Sequence, residues 1–180
     1  MRILVVGTGG VGAAVAAVAQ RRDFFERITL ADVDPTRPQA VVDRLGEQDR
    51  FAATRVDASS SESVIGAISA TAADAVLNAC DPRFNAAILA ACLETHTTYL
   101  DMALTLGRNG TILGEEQFAQ HEAWRRAGTL CLAGIGADPG LADVFARYAA
   151  DHLFAEIDEI GVRDGGNLVV DGKESVRSSA

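Results

Sequence analysis

The stretch Ile3-Leu4-Val5-Val6-Gly7-Thr8-Gly9-Gly10-Val11-Gly12 decides the fold. Ile3–Val6 is a short unbroken apolar run, the pattern of a strand buried on both faces of a parallel sheet. Gly7, Gly9 and Gly12 follow in the spacing G-x-G-x-x-G, and the small apolar residues from Val11 to Ala19 predict a helix packed closely on that strand. Each glycine has its own task in such a turn. Gly7 makes it tight, Gly9 lets the backbone approach a pyrophosphate, and Gly12 brings helix and strand together. The helix N-terminus adds free N–H groups and a positive dipole end. Ile28–Asp32 then reads as a second strand, ending in an acid about 20 residues beyond Gly12, where a carboxylate accepts hydrogen bonds from an adenosine ribose. A tight βαβ turn with glycines used only for packing is the competing reading.

The totals narrow the class. With 180 residues, 48% of them hydrophobic, the chain has enough apolar material for a full globular domain. A net charge of −9 and a pI of about 4.7 argue against generic binding to nucleic acid or to anionic membrane. No apolar run approaches the roughly 20 residues of a membrane span. Met1 leads straight into the first strand without a signal peptide, so a cytoplasmic location is expected. Cys80, Cys92 and Cys131, like His96, His121 and His152, lack metal-ligand spacing, and no metal site is expected.

Beyond Asp32 the strand–helix alternation continues. Val33-Asp34-Pro35 turns into a helix expected from Pro38 to Leu45, since proline is tolerated in a first helical turn. Asp32 would repel a 2′-phosphate, Val33 offers it nothing and Asp34 adds negative charge, so NAD is preferred over NADP. Arg37 opposes that preference, having the chemistry to cover a 2′-phosphate. Ala52–Val56 predicts a third strand, with Asp57 and Ala58 at its carboxyl end near the adenine. Asp57 reads equally well as a simple turn former. Ser59–Ser63 opens the next helix with hydroxyls able to cap it.

Ala75–Asn78 is the fourth strand, and Asn78 at its end has both donor and acceptor for a ribose or a nicotinamide. Phe84, Ala87, Ile88 and Ala91 mark an amphipathic helix, and Tyr99–Met102 a fifth strand that brings Asp101 to the same edge. Asp101 is a speculative polar group near a reacting centre, and a loop or capping carboxylate otherwise; Tyr99 is expected in the core. Thr105–Gly114 reads as a loop and Glu115–Ala127 as one helix anchored by Phe118 and Trp124. Thr129–Ala133 is a sixth strand, followed by the glycine-dense turn Gly134–Gly140. There Asp138 is expected to cap, and Pro139 to open, a helix carrying Leu141, Val144, Phe145 and Tyr148 on one face. Its N-terminus is a plausible dock for a substrate carboxylate. Ile157–Arg163 and Asn167–Val170 around Asp164-Gly165-Gly166 predict a hairpin, and Lys173–Ala180 a polar, unstructured tail. The fold class is α/β, a Rossmann-type doubly wound, mostly parallel sheet.

In this order the motifs resemble the saccharopine dehydrogenase family, which includes saccharopine reductases and carboxynorspermidine dehydrogenases. The matching pieces are GTGGVG (Gly7–Gly12), ADVD (Ala31–Asp34), VLNACDPRFN (Val76–Asn85), TYLDMA (Thr98–Ala103) and AGIGADPGLADVFARYA (Ala133–Ala149). The resemblance implies a Rossmann domain over residues 1–155, and at 156–180 the truncated start of a substrate and dimerisation domain of α+β type. It implies that Gly7, Gly9, Gly10, Val11, Gly12 and Asp32 bind the cofactor. Asn78 and Ala79 would lie near the nicotinamide, and Asp138, Pro139 and Gly140 would border an amino-acid-like small-molecule substrate. The implied chemistry is reversible hydride transfer at a secondary amine or imine carbon, in a protein that forms homodimers at full length. A non-catalytic dinucleotide-binding or sensing module, or an inactive fragment lacking the full active site, is the alternative from another class. A short-chain reductase is discarded, because the single lysine, Lys173, has no tyrosine four residues before it.

Overall fold

The apolar run of the opening stretch becomes β1 (Arg2–Val6), and the glycine turn feeds α1 (Gly10–Ala19). The computed structural model describes residues 1–105, 112–170 and 173–179. They fall into two units, Met1–Gly136 and Ala137–Ala180.

In the first unit, β1 is joined by β2 (Arg27–Asp32), β3 (Phe51–Arg55), β4 (Ala75–Asn78), β5 (Thr98–Asp101) and β6 (Cys131–Leu132). They form one sheet in the order β3-β2-β1-β4-β5-β6, with every pairing parallel. The chain winds outward from β1 to β3, then returns across β1 to begin again at β4. The register sets Val6 beside both Ala31 and Asn78, and Asn78 beside Asp101, so four strands end level with one another. Parallel strands need crossovers, and from β1 to β5 these are α1, α2 (Thr36–Leu45), α3 (Ser61–Thr71) and α4 (Asn85–Glu94).

Alternation along β1 divides the core. Leu4 and Val6 pack with Val64 and Ile68 of α3, Ile88 and Leu89 of α4, Tyr99 and Trp124 on one face. Val5 packs with Ala16 of α1, Val41 and Val42 of α2, Phe25 and Phe51 on the other. Each fully buried aliphatic side chain contributes about 1.5–3 kcal/mol. Local signals set the helix ends. Ser60 Oγ accepts the Ser63 N–H at the start of α3, and α2 stops at Gly46 with φ 72°.

Several local expectations need correction. The helix expected over Glu115–Ala127 is two, α5 (Glu115–Phe118) and α6 (His121–Ala127), because the ladder tightens to an i→i+3 bond from Gln120 N–H to Gln117 O. Trp124 is buried as expected, but Phe118 is exposed, its ring lying over Gly114. The loop expected over Thr105–Gly114 lies largely outside the described residues, since these omit 106–111.

The second unit holds α7 (Leu141–His152) and a hairpin. Asp138 does not cap α7 and Pro139 does not open it. Gly140 stands at the cap with φ 128°, a left-handed conformation that no helix can include, so the helix starts one residue later. Leu141, Val144, Phe145 and Tyr148 are all exposed in this unit. The hairpin pairs β7 (Asp164–Val170) with β8 (Lys173–Ser179), antiparallel, with Val170 opposite Lys173. Asp164-Gly165-Gly166 is therefore strand rather than turn, the polar tail is strand, and Ile157–Arg163 is not. Asp171-Gly172 lies outside the described residues.

Candidate dinucleotide site

A cleft of about 450 Å³ opens at the carboxyl ends of the strands where β1 and β4 meet. In open α/β sheets that is the topological switch point at which ligands bind. Gly7 turns the chain there with φ 99°, and its N–H donates to Ala31 O at 2.8 Å. A Cβ on Gly7 would sit 2.8 Å from Ala79 O, and one on Gly12 would sit 2.0 Å from Gly7 O. The protein's own packing requires those two glycines. Gly9 and Gly10 differ, since a Cβ on either would meet no protein atom within 4 Å. The helix they open has no side-chain cap, leaving its first-turn N–H groups to an outside acceptor. This cradle fits a pyrophosphate.

Asp32 stands beside it on the cleft wall. Its Oδ2 accepts the Thr8 N–H at 2.9 Å and its Oδ1 the Asp34 N–H at 3.1 Å, while Thr8 Oγ donates to Ala31 O at 3.1 Å. The carboxylate thus clamps the glycine turn to the end of β2. Each oxygen keeps acceptor capacity for a ribose hydroxyl. Thr8, buried beneath the turn, was not among the expected site residues; its signal is a hydroxyl residue inside the glycine motif, next to a strand end.

Val33 and Arg37 also line the cleft. The Arg37 guanidinium lies 3.8 Å from Asp34 and is largely exposed. Asp34 is held below the usual carboxylate range, first by the Thr36 hydroxyl and amide and also by Arg37. At the far wall are Asp57 and Ala58. The hydroxyl and N–H of Ser59 donate to Asp57 Oδ1 at 2.6 and 3.0 Å and lower its carboxyl. Ala79 and Cys80 close the β4 side. Burial, then the charges of Asp32 and Asp81, raise the Cys80 thiol to about 11.

The structure does not bring every expected residue to this wall. Val11 is exposed in the first turn of α1, and Gly12 is buried under Gly7. The Asn78 side chain is 1% exposed, giving both amide hydrogens to Asn85 Oδ1 (2.8 Å) and Tyr99 Oη (3.1 Å). Asp101 is equally buried. Its Oδ2 accepts from Tyr99 Oη at 2.8 Å and Gln117 Nε2 at 2.6 Å, and its Oδ1 from Gly134 N–H at 2.6 Å. Burial comes first in raising the Tyr99 hydroxyl far above its ordinary value, and the nearby Asp101 carboxylate adds to it. Asp138, Pro139 and Gly140 belong to the second unit. Among the described residues no three His, Cys, Asp or Glu side chains group as a metal site, and no helix is long and apolar enough to cross a membrane.

The family model described as the saccharopine dehydrogenase NADP binding domain matches residues 3–132. The chain belongs to the saccharopine dehydrogenase family. It is 33% identical over 177 residues to a carboxynorspermidine synthase of Vibrio cholerae serotype O1, a match covering 91% of this chain and 43% of that protein. To a carboxyaminopropylagmatine dehydrogenase of Synechocystis sp. it is 28% identical over 164 residues, covering 91% of this chain and 41% of the relative. The chain spans less than half the length of these curated relatives. Among solved structures it is similar to an apo saccharopine dehydrogenase (L-Glu forming) from Saccharomyces cerevisiae, with TM-score 0.62 and 18% identity over 84% of this chain and 31% of that one. That likeness is one of fold. The domain of this saccharopine dehydrogenase family member is an NAD(P)-binding domain, and the family description names NADP, the second of the two dinucleotides expected.

Proposed function

We propose that the chain is the cofactor-binding part of an oxidoreductase that transfers hydride at the carbon of a C–N bond in an amino-acid-derived substrate. The observation that carries this reading is the room left at Gly9 and Gly10, above an uncapped helix and beside Asp32. The names of the relatives support the substrate class, since both denote carboxy-substituted amines. The nicotinamide, when bound, supplies the hydride chemistry.

The chain's own residues hold and orient. Gly9, Gly10 and the first amides of α1 receive the pyrophosphate, with Gly7 and Gly12 giving the turn its shape and Val11 contributing its amide. Asp32 accepts from the adenosine ribose, Val33, Asp57 and Ala58 border the adenosine half, and Ala79 borders the nicotinamide half. Asp32 disfavours a 2′-phosphate and Arg37 favours one, so the pair sets the choice between NAD and NADP. Asp138, Pro139 and Gly140 border the substrate. Asp101 is not assigned a proton-transfer role, because three donors enclose its carboxylate. The same reading gives a cytoplasmic protein acting on a small molecule, with a homodimer as the assembly of the full-length form.

Calorimetric titration of the chain with NAD, NADP and ADP-ribose tests the first step. At least one dinucleotide is expected to bind below millimolar concentration, and turnover of NAD(P)H with a keto acid or aldehyde plus an amine tests the second. Failure to bind either dinucleotide refutes the proposal. Binding without turnover under any such pairing favours a dinucleotide-sensing module or an inactive fragment.

A further inference from the structure

A Rossmann sheet consists of two mononucleotide-binding halves, here β1-β2-β3 and β4-β5-β6. The symmetry pairs β1 with β4 and β2 with β5, and so pairs Asp32, the last residue of β2, with Asp101, the last residue of β5. Each carboxylate holds the backbone N–H of a turn at the carboxyl edge of the sheet, though not at equivalent places. Asp32 takes the N–H of Thr8 in the turn after β1, and Asp101 takes the N–H of Gly134 in the turn after β6. They differ in setting: Asp32 faces the cleft, whereas Asp101 is buried at the hub of a polar network.

That network joins all three strand ends of the second half. Cys80 N–H, on the cleft wall, donates to Asn78 Oδ1 at 3.0 Å, and Asn78 donates to Tyr99 Oη and Asn85 Oδ1. Tyr99 Oη donates to Asp101, which also receives Gln117 and Gly134. Asn85 Nδ2 donates to Ala103 O at 2.9 Å and Thr105 Oγ1 at 3.2 Å, and Gln117 Oε1 accepts Thr105 N–H at 2.8 Å. Donor and acceptor inventories fix the direction of the main line from the Cys80 amide through Asn78 and Tyr99 to Asp101, since Tyr99 has one hydrogen to give and Asn78 two. Such a fully satisfied buried network rigidifies what it touches, and it touches Cys80 just after β4, Ala103 and Thr105 after β5, and Gly134 just after β6.

We propose that Asn78, Tyr99 and Asp101 are positioning residues that hold Cys80, Thr105 and Gly134, residues just beyond those three strand ends, in one arrangement for the nicotinamide half of the dinucleotide, as Asp32 holds the glycine turn for the adenosine half. This rests on the dinucleotide reading above. The network then sets how much the nicotinamide riboside adds to binding and leaves the grip on ADP-ribose alone.

The test compares each reduced dinucleotide with its truncated counterpart, NADH with ADP-ribose or NADPH with 2′-phospho-ADP-ribose, in the wild type and in Tyr99→Phe. That substitution removes one hydroxyl and keeps the ring in the core. The expected result is truncated-probe affinity within twofold of wild type, dinucleotide affinity lowered five- to tenfold, and a smaller emission enhancement of the bound reduced nicotinamide. Gln117→Met, on the short helix outside the sheet, cuts the same hub and is expected to give the same split if Tyr99→Phe does not fold. Parallel weakening of both probes overturns the proposal, because the network then supports the fold alone; so does a variant that binds both like wild type. A wild-type chain that binds dinucleotide and truncated probe equally overturns this inference only. One that binds neither overturns the dinucleotide reading as well.

Discussion

Replacing Gly9 by alanine separates a glycine kept for a ligand from one kept for packing. Gly9 has φ −78° and ψ −158°, an extended backbone open to any residue, and a new Cβ there meets no protein atom within 4 Å. Alanine is a poorer helix cap than glycine by up to about 1 kcal/mol. It also reduces the freedom of the unfolded chain, which returns about 0.4–1 kcal/mol. The two nearly cancel, so Gly9→Ala should melt within a few degrees of wild type. Gly12→Ala puts its methyl 2.0 Å from Gly7 O, a backbone atom that cannot swing aside. Forcing extra volume into a packed site costs about 1–3 kcal/mol, and at roughly 2–4 °C per kcal/mol for a domain of this size Tm should fall by about 2–12 °C. Binding should not follow the stability ranking. The Gly9 methyl occupies the volume a pyrophosphate needs, and loss of that close approach is expected to weaken ADP-ribose by at least about 30-fold, roughly 2 kcal/mol. Scanning calorimetry on the three proteins, with titration of ADP-ribose into each, gives both quantities. If Gly9→Ala binds within threefold of wild type, or loses as much Tm as Gly12→Ala, the division of labour among the glycines is wrong.

Three further outcomes are expected. Arg37→Ala should weaken NADP about tenfold and leave NAD within twofold; equal effects in parallel titrations would remove Arg37 from contact with a 2′-phosphate. Ser60→Ala, which deletes the cap on the Ser63 amide, should cost about 1 kcal/mol, seen as a lower urea midpoint with unchanged slope. The third concerns alkaline pH. Burial raises Cys80 and Cys131 from 9.0 to about 11 and Cys92 to about 12. Unfolded thiols release their protons near 9 while the folded ones hold theirs, so the unfolded state binds fewer protons above that point and stability falls as pH rises from about 9 towards 11. Urea midpoints at pH 8, 9, 10 and 11 should drop through this window, and more shallowly in Cys92→Ala. A flat profile in the wild type would contradict the burial of these thiols.

What could be read in the chain alone was whatever a short window encodes. The apolar run at Ile3–Val6, the glycine spacing and the acid at Asp32 identify β1, its turn and the end of β2, because neighbours in sequence make that geometry. The Ser60 cap is of the same kind. Asp101 and Asn78 were legible only as polar residues at strand ends. Which way their side chains face depends on Gln117 and Gly134, 16 and 33 residues from Asp101, and no local pattern announces those bonds. Periodicity over Glu115–Ala127 could not show the break at Gln120, since residues 117 and 124 share a face in either version. The place of the hairpin is not local either: Asp164-Gly165-Gly166 has the residue types of a turn, and only its pairing with Arg177–Ser179 makes it strand.

The clamp of Thr8 by Asp32 bears on how fast a ligand can be captured. A glycine loop tied to the neighbouring strand before any ligand arrives has already lost the freedom that binding would otherwise have to remove. Encounter should therefore be limited by orientation and by charge rather than by rearrangement of the loop, with a single exponential phase in stopped flow whose rate rises linearly with ligand concentration. Cutting the clamp with Asp32→Ala should bend that line over to a plateau, as an ordering step of the loop begins to set the pace.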